Sequence, residues 1–255
     1  MTMKEKKAKS TLLAIAQTSA LAAGRFLAKQ TGRKAHIDAV SKHDLKLKTD
    51  KQAEAMIVKE LSKRTSFPIL SEEAGWLGAR TNGSFWVVDP IDGTFNFYRG
   101  IPIFCVSIAL FDERDQPILG VIYDVCRQEM FAGIVGKGVW LNGRAVHTSQ
   151  TANQQAAVLL TGFPSGITPK QMKEVVELGK SYCKLRWIGS AALSLAYVAC
   201  GRGDIYHERG IKIWDVAAGL ALVLAAGGHI HTKKTKQPFG YDVWASNSFL
   251  SGLKQ

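Results

Sequence analysis

The residues of this chain best suited to chemistry lie in Val87-Val88-Asp89-Pro90-Ile91-Asp92-Gly93-Thr94-Phe95-Asn96-Phe97, where a β-branched and aromatic run meets two carboxylates and a Gly-Thr turn. Apolar Phe85 to Val88 predicts a buried strand that stops at Asp89, because Pro90 cannot donate to a ladder, and Gly93-Thr94 predicts a sharp turn into a helix. Two carboxylates at a strand's end repel unless a cation lies between them, so a divalent metal is the first functional expectation; a solvated Asx turn is the alternative. Asp50, Glu72 and Asp215 fall at strand ends or helix starts too, where loops collect at one rim of a sheet. Carboxylates would not gather there without cations, and an oxygen-only set selects a hard ion such as Mg2+ over zinc or copper. Asp215 alone also reads as an acidic residue complementing the dipole of the helix it opens.

The elements that must hold these residues follow from periodicity. Leu12, Ile15, Ala16, Ala20, Ala23, Phe26 and Leu27 recur at helical spacing, then residues 35–48 read as irregular or hairpin-like, with Leu45 and Leu47 alternating between lysines. A helix over 49–64 carries Ala53, Met56, Ile57 and Leu61 on one face, with Thr49 or Asp50 as its N-cap. A short strand at 67–70 runs into Ser71-Glu72-Glu73, and a glycine-containing loop leads to Phe85. Beyond Thr94, a helical turn at 97–101 precedes strands at 103–111, 117–125 and 129–135, and Asn142-Gly143 joins 138–141 to 144–147 as a hairpin. A polar stretch at 149–156 divides the chain into subdomains of about 1–150 and 151–255. The second half alternates strand 157–161, helix 169–182, strand 184–188, helix 190–200, strand 204–207, helix 214–226 and strand 229–232, an α/β pattern behind an antiparallel meander.

The 255 residues, 46% hydrophobic, suit one large globular domain or two small ones. Four cysteines, Cys105, Cys126, Cys183 and Cys200, form no C-x-x-C pair, which disfavours zinc knuckles and redox motifs and suits a reduced, cytoplasmic setting. Lys4, Lys6, Lys7 and Lys9 before apolar Leu12 to Ala23 imitate a signal peptide, but Gln17, Thr18 and Ser19 interrupt its core, and Val216 to Ala226 is too short to span a bilayer, so no membrane segment is expected. A net charge of +12 suits an anionic partner: nucleic acid, a membrane surface or phosphorylated metabolites. The basic residues are dispersed rather than interleaved with aromatics, which disfavours nucleic acid.

Asp89-Pro90-Ile91-Asp92-Gly93-Thr94-Phe95-Asn96-Phe97 resembles the D-P-x-D-G-T-x-N-F signature of the inositol monophosphatase family. Ser71-Glu72-Glu73 and Trp214-Asp215-Val216-Ala217-Ala218-Gly219 resemble that family's E-E and W-D-x-x-A-G motifs, in the right order. The resemblance implies an α-β-α-β-α layered sandwich, commonly a homodimer, and a lithium-sensitive, Mg2+-dependent phosphomonoesterase acting on a small-molecule phosphate ester. By the same likeness Glu72, Asp89 and the Ile91 carbonyl hold one Mg2+, Asp89, Asp92 and Asp215 a second, and a third, weaker ion lies near Glu72. Asp50 and Thr94, hydrogen-bonded to one another, orient the attacking water with Glu72; Asp92 and the N–H groups of Gly93 and Thr94 meet the phosphate; Gly189, Ser190, Ala191 and Glu208 meet the inositol hydroxyls. A carboxylate at 208 favours a polyol over a second phosphate. Histidinol phosphate, fructose 1,6-bisphosphate and 3'-phosphoadenosine 5'-phosphate are the alternative substrates, and a basic regulatory or RNA-associated role is the alternative of another class. Ser71 stands where the family often has glycine, Phe95 replaces a commonly small or polar residue, and Arg209 and Lys212 add positive charge near the rim. Lys212, if it points into the site, favours a more anionic substrate.

Overall fold

In the computed structural model, which describes residues 3–32, 37–40, 45–80, 83–163 and 167–252, the chain opens with α1 (Met3–Gln30) and reaches α2 (Lys48–Arg64) through an antiparallel pair, β1 (Ile37–Val40) and β2 (Leu45–Leu47). The helical spacing read in α1 and α2 is a packing face: Ala16, Ala20, Ala23 and Leu27 of the first and Ala53, Ile57 and Leu61 of the second are fully buried together. By length and composition α1 could also cross a membrane. Here its apolar face is half of a core instead, a use of such a helix that passes the same test.

The other half of that core is a sheet. Strands β3 (Ile69–Ser71), β4 (Gly75–Leu77) and β5 (Phe85–Asp92) lead through the short helix α3 (Thr94–Arg99) into β6 (Cys105–Phe111), β7 (Pro117–Asp124), β8 (Glu129–Ile134), β9 (Gly138–Leu141) and β10 (Arg144–Val146). Their order is β10-β9-β8-β7-β6-β5-β3-β4, antiparallel except where β3 lies parallel to β5. Alternate residues of the central strands divide between two cores: Trp86, Val88, Ile108 and Val121 face α1 and α2, while Val87, Ala109 and Ile122 face away from them. The hairpin at Asn142-Gly143 forms as expected, with φ of 48° and 81° at the two turn residues, the left-handed pair of a type I′ turn.

The second half adds β11 (Val158–Thr161), α4 (Pro169–Gly179), β12 (Lys184–Arg186), α5 (Ala191–Ala199), β13 (Ile205–Lys212), α6 (Ile213–Ala225), β14 (His229–Lys234) and β15 (Gly240–Ser246). The strands form a sheet of order β12-β11-β13-β15-β14. α5 and α6 lie between the sheets, their Leu193, Leu195, Ala217 and Leu222 sharing a core with Val87 and Ile122 on one side and Tyr206 and Val243 on the other. Leu178 of α4 packs outside the second sheet on Leu159, Ile205 and Trp244. The layers are therefore α-β-α-β-α, as the resemblance implied. Gly120 lets α6 touch β7, since a side chain there would overlap the Ala218 carbonyl.

The elements differ from expectation in α2, α3, β4, β5, β13 and β15, β13 running to Lys212 rather than ending at His207. α2 starts at Lys48 with Leu47 as N-cap residue, so neither Thr49 nor Asp50 caps it; Asp50 sits at the third helical position and accepts from Leu47 N–H at 2.7 Å. α3 starts at Thr94, three residues earlier than the helical turn read at Phe97. β4 and β15 were not foreseen, and β15 pairs with both β13 and β14. β5 does not stop at Asp89 but runs to Asp92 through a bulge. Residues 33–36 and 41–44 of the stretch read as hairpin-like, and the first two residues of the lysine-rich start, lie outside the described residues.

Candidate active site

The β5 bulge is the local cause of the site. Asp89 pairs with Ser107 and Asp92 with Cys105, so an extra β5 residue must be accommodated, and the ladder breaks where Pro90 has no N–H to give. Asp89 closes the break: its Oδ1 accepts from Ile91 N–H at 2.9 Å. The Asx turn is thus present, and it occupies one oxygen only. Asp89 Oδ2 is buried with no hydrogen-bond donor. Asp89 belongs to a group in which Glu72, Asp89 and Asp215 each offer a carboxylate oxygen, all within 4.8 Å of one another.

Parallel pairing of β3 with β5 brings Glu72 there, just past Ser71, with its own N–H donating to Val88 O at 3.2 Å. Asp215 arrives from the first turn of α6 and accepts from Lys212 N–H at 3.2 Å, so it complements its helix and joins the cluster at once. Burial, then the neighbouring Glu72 charge, holds the Asp215 carboxyl well above the ordinary carboxylate range. Asp89 is raised in the same way, by burial first and then by Glu72, Asp92 and Asp215. Mutually repelling carboxylates, one buried and two half-buried, with one acceptor lacking a donor fit a hard divalent cation.

Asp92 turns toward the other half of the chain. Its Oδ2 accepts from the hydroxyl of Ser190, the residue that caps α5, and from Ala192 N–H in the first turn of that helix at 2.8 Å. Burial raises this carboxyl to about 6 against the lowering effect of the Ser190 and Ala192 bonds. A cleft of about 290 Å³ opens beside it and brings together Asp92, Gly93, Thr94, Gly189, Ser190, Ala191, Glu208 and Asp215. Gly93 has φ of 95°, and a Cβ there would lie 2.9 Å from Ile103 O, so backbone alone fits. Asn96 Nδ2 donates to Ile103 O at 2.8 Å and to Ile188 O at 3.0 Å, which holds α3 against the segment carrying Gly189.

Glu208 is buried in the second sheet with its Oε2 accepting from Tyr206 hydroxyl at 2.7 Å. Burial raises its carboxyl to about 7, which the Tyr206 bond opposes. Gly162 makes room for it, since a Cβ at 162 would overlap the carboxylate. Gly162, Tyr206 and Glu54 were not foreseen: a strand-end glycine, a buried tyrosine and a helical glutamate carry no local signal of their partners. Asp50 is buried at the start of α2. The Thr94 hydroxyl donates to Ile91 O at 2.9 Å, so its proton does not go to Asp50. Arg209 and Lys212 are not among the lining residues of this cleft: Arg209 pairs with Glu174 at 2.9 Å, and Lys212 Nζ donates to Pro238 O at 2.9 Å. Lys212, held to Pro238, does not point into the cleft, so the condition for a more anionic substrate at that residue is not met.

A model of the inositol monophosphatase family matches residues 8–251. The chain belongs to the inositol monophosphatase family. It is 40% identical over 227 residues to an inositol-1-monophosphatase of Synechocystis, covering 86% of this chain and 77% of the relative. It is 43% identical over 199 residues to the Nus factor SuhB of Xylella fastidiosa, covering 76% and 71%. Among solved structures, the extragenic suppressor protein suhB of Bartonella henselae superposes with a TM-score of 0.85 at 33% identity, covering 94% of this chain and 95% of that one. Within this family, the departure at Ser71 acquires a contact: its hydroxyl donates to Glu54 Oε2.

Proposed function

We propose that the chain is a Mg2+-dependent phosphomonoesterase that hydrolyses myo-inositol monophosphate or a related polyol phosphate. The observation that carries the reading is the Glu72, Asp89 and Asp215 carboxylate cluster, in which Asp89 keeps an unpartnered buried oxygen, beside a cleft that Asp215 and Glu208 line together. Glu72, Asp89 and the Ile91 carbonyl would hold one Mg2+, and Asp89, Asp92 and Asp215 a second, with a third, largely water-ligated ion near Glu72. The Ile91 carbonyl has two lone pairs and can serve an ion while accepting from Thr94. Bound there, Mg2+ neutralises phosphoryl oxygens, acidifies the attacking water and stabilises the departing alkoxide.

The chain's own groups do the rest. Thr94 and Asp50 orient the water, the Thr94 oxygen accepting from it while its own hydroxyl donates to the Ile91 carbonyl. Gly93 and Thr94 offer backbone N–H groups to the phosphate, and Asp92 stays in place through its bonds to α5. Gly189, Ser190 and Ala191 wall the leaving group, whose hydroxyls donate to Glu208. A buried carboxylate there repels a second phosphate and accepts from a polyol. Residues 1–255 act as one phosphatase domain with halves of about 1–150 and 151–255, in a cytoplasmic homodimer inhibited by lithium. The test is phosphate release from a panel containing inositol monophosphate, histidinol phosphate, fructose 1,6-bisphosphate and 3'-phosphoadenosine 5'-phosphate, with and without Mg2+ and with added Li+. Inositol monophosphate is expected to be preferred, with turnover lost on chelation; preference for a bisphosphate overturns the substrate assignment.

A second reading, a regulatory protein that associates with nucleic acid, is favoured by the net charge of +12 and by the naming of several relatives as Nus factors. It calls for RNA affinity that falls steeply with salt. No binding at physiological salt removes it.

A further inference from the structure

Glu54 is a buried carboxylate in the middle of α2 to which neither the motifs nor the proposed mechanism assigns a task. One of its oxygens, Oε2, accepts three donors from a single short segment: the Ser71 hydroxyl, Glu73 N–H at 3.1 Å and Ala74 N–H at 3.3 Å. Glu72 is the residue enclosed by these donors, and its own N–H is tied to Val88 O on the opposite side. The turn that presents Glu72 is therefore held by β5 at one point and by α2 at three. Glu54 also lies one helical turn after Asp50, and both are buried, so one rigid face of α2 sets the position of Asp50 and of the Glu72 turn together.

We infer that Glu54 and Ser71 form a positioning clamp that fixes Glu72 for divalent-cation binding, with Ser71 supplying the third donor at a place where the family often has glycine. The inference rests on the metal reading of the Glu72, Asp89 and Asp215 cluster and assigns Glu54 no contact with substrate. Its physical basis is that a ligand whose orientation is not held must be ordered when the ion binds, so that loss of a partner behind the ligand weakens affinity. A turn with two adjacent N–H groups and a hydroxyl converging on one carboxylate oxygen is ordered beforehand. Loss of Glu54 leaves these donors without their acceptor and removes the tie of the Glu72 turn to α2.

The test is Mn2+ binding to the full chain, followed by the paramagnetic resonance of free Mn2+, for the wild type, Glu54→Ala, Glu54→Gln, Ser71→Gly and the double variant Glu54→Ala with Ser71→Gly. Glu54→Ala is expected to weaken the Mn2+ dissociation constant by about 10–100-fold, and to raise the Mg2+ concentration for half-maximal phosphate release in parallel, while kcat at saturating Mg2+ returns to within a few-fold of the wild type. Glu54→Gln keeps a carbonyl acceptor and should lie between wild type and Glu54→Ala. Ser71→Gly should weaken binding less, and add nothing to Glu54→Ala, because both remove the same contact. Unchanged Mn2+ affinity in variants that still melt cooperatively above the assay temperature overturns the clamp and leaves Glu54 a purely structural group. If Glu54→Ala does not fold, Ser71→Gly and Glu54→Gln decide the matter by the same readout. Failure of the wild type to bind Mn2+ overturns the metal reading itself, an outcome distinct from equal binding by wild type and variants.

Discussion

Asp92 and Ser190 stand 98 residues apart in the chain and share a hydrogen bond, the Ser190 hydroxyl donating to Asp92 Oδ2. The same oxygen accepts from Ala192 N–H at 2.8 Å. A carboxylate at the end of β5 thus docks on the start of α5, joining the eight-stranded sheet to the helical layer between the sheets. Ser190 caps that helix as well, accepting from Leu193 N–H at 3.2 Å. The expected consequence is that Asp92 is kept in one orientation before any ligand arrives.

Asp92→Asn should lower kcat by at least about 100-fold, with little change in melting temperature. The substitution keeps a carbonyl oxygen that can accept from Ser190 and Ala192 and removes the charge a cation needs. Kinetics beside a circular-dichroism melt checks this, and wild-type turnover in the variant would remove Asp92 from the metal site.

The Glu208 carboxyl titrates near neutrality because burial raises it from 4.5 to about 7. KM for a polyol phosphate should fall as pH rises through about 7 and the carboxylate forms. Tyr206→Phe deletes the bond that favours the charged form, so this limb should move to higher pH. The sign for stability is opposite: a raised carboxyl contributes stability that is present below 4.5 and lost as pH rises through about 7. Glu208→Gln should flatten that part of the stability curve of the metal-free chain, as read by urea midpoints across pH.

Gly162→Ala places a methyl group where the Glu208 carboxylate lies. Glu208 must move, and loss of a charged hydrogen bond to the leaving group should raise KM for a polyol phosphate by roughly 10–100-fold. Inorganic phosphate as a competitive inhibitor should bind as before, because its expected contacts are on the Asp92 side. Equal losses for both would mean that the variant disturbs the whole cleft.

Gly120→Ala tests the layers rather than the chemistry. The new Cβ would overlap the backbone carbonyl of Ala218, which no rotamer change can move aside. β7 and α6 must separate, at a cost of about 1–3 kcal/mol, visible as a lower urea midpoint with an unchanged slope. A neutral effect would show that this helix-to-sheet contact is looser than the fold describes.

Much of the site was legible in residue type and order. Asp89, Asp92 and Asp215 announce themselves as acidic residues beside apolar runs, because a charge next to a buried segment needs a reason to be there. The hairpin at Asn142-Gly143 and the helix read at 214–226, found at 213–225, were equally plain, since turn chemistry and 3.6-residue periodicity are local properties. β15 was missed because Gly240 to Ser246 mixes Tyr241, Val243 and Trp244 with glycine, aspartate and serine, and a strand's place between two others depends on partners remote in the chain.

The sequence by itself determined the donor types, all oxygen, and hence the class of cation and reaction to look for. Only the tertiary structure decided which groups meet: Asp89 gathers with Glu72 and Asp215, one of its oxygens engaged in its own turn and the other without a donor, while Asp92 faces α5. It also decided that Glu54 stands behind the Glu72 turn and that Lys212 turns to Pro238 rather than into the cleft. The physical reason is range. Periodicity and turn residues report what a side chain's immediate neighbours require, whereas the partner of a buried carboxylate is set by the packing of layers that come together only in the folded chain.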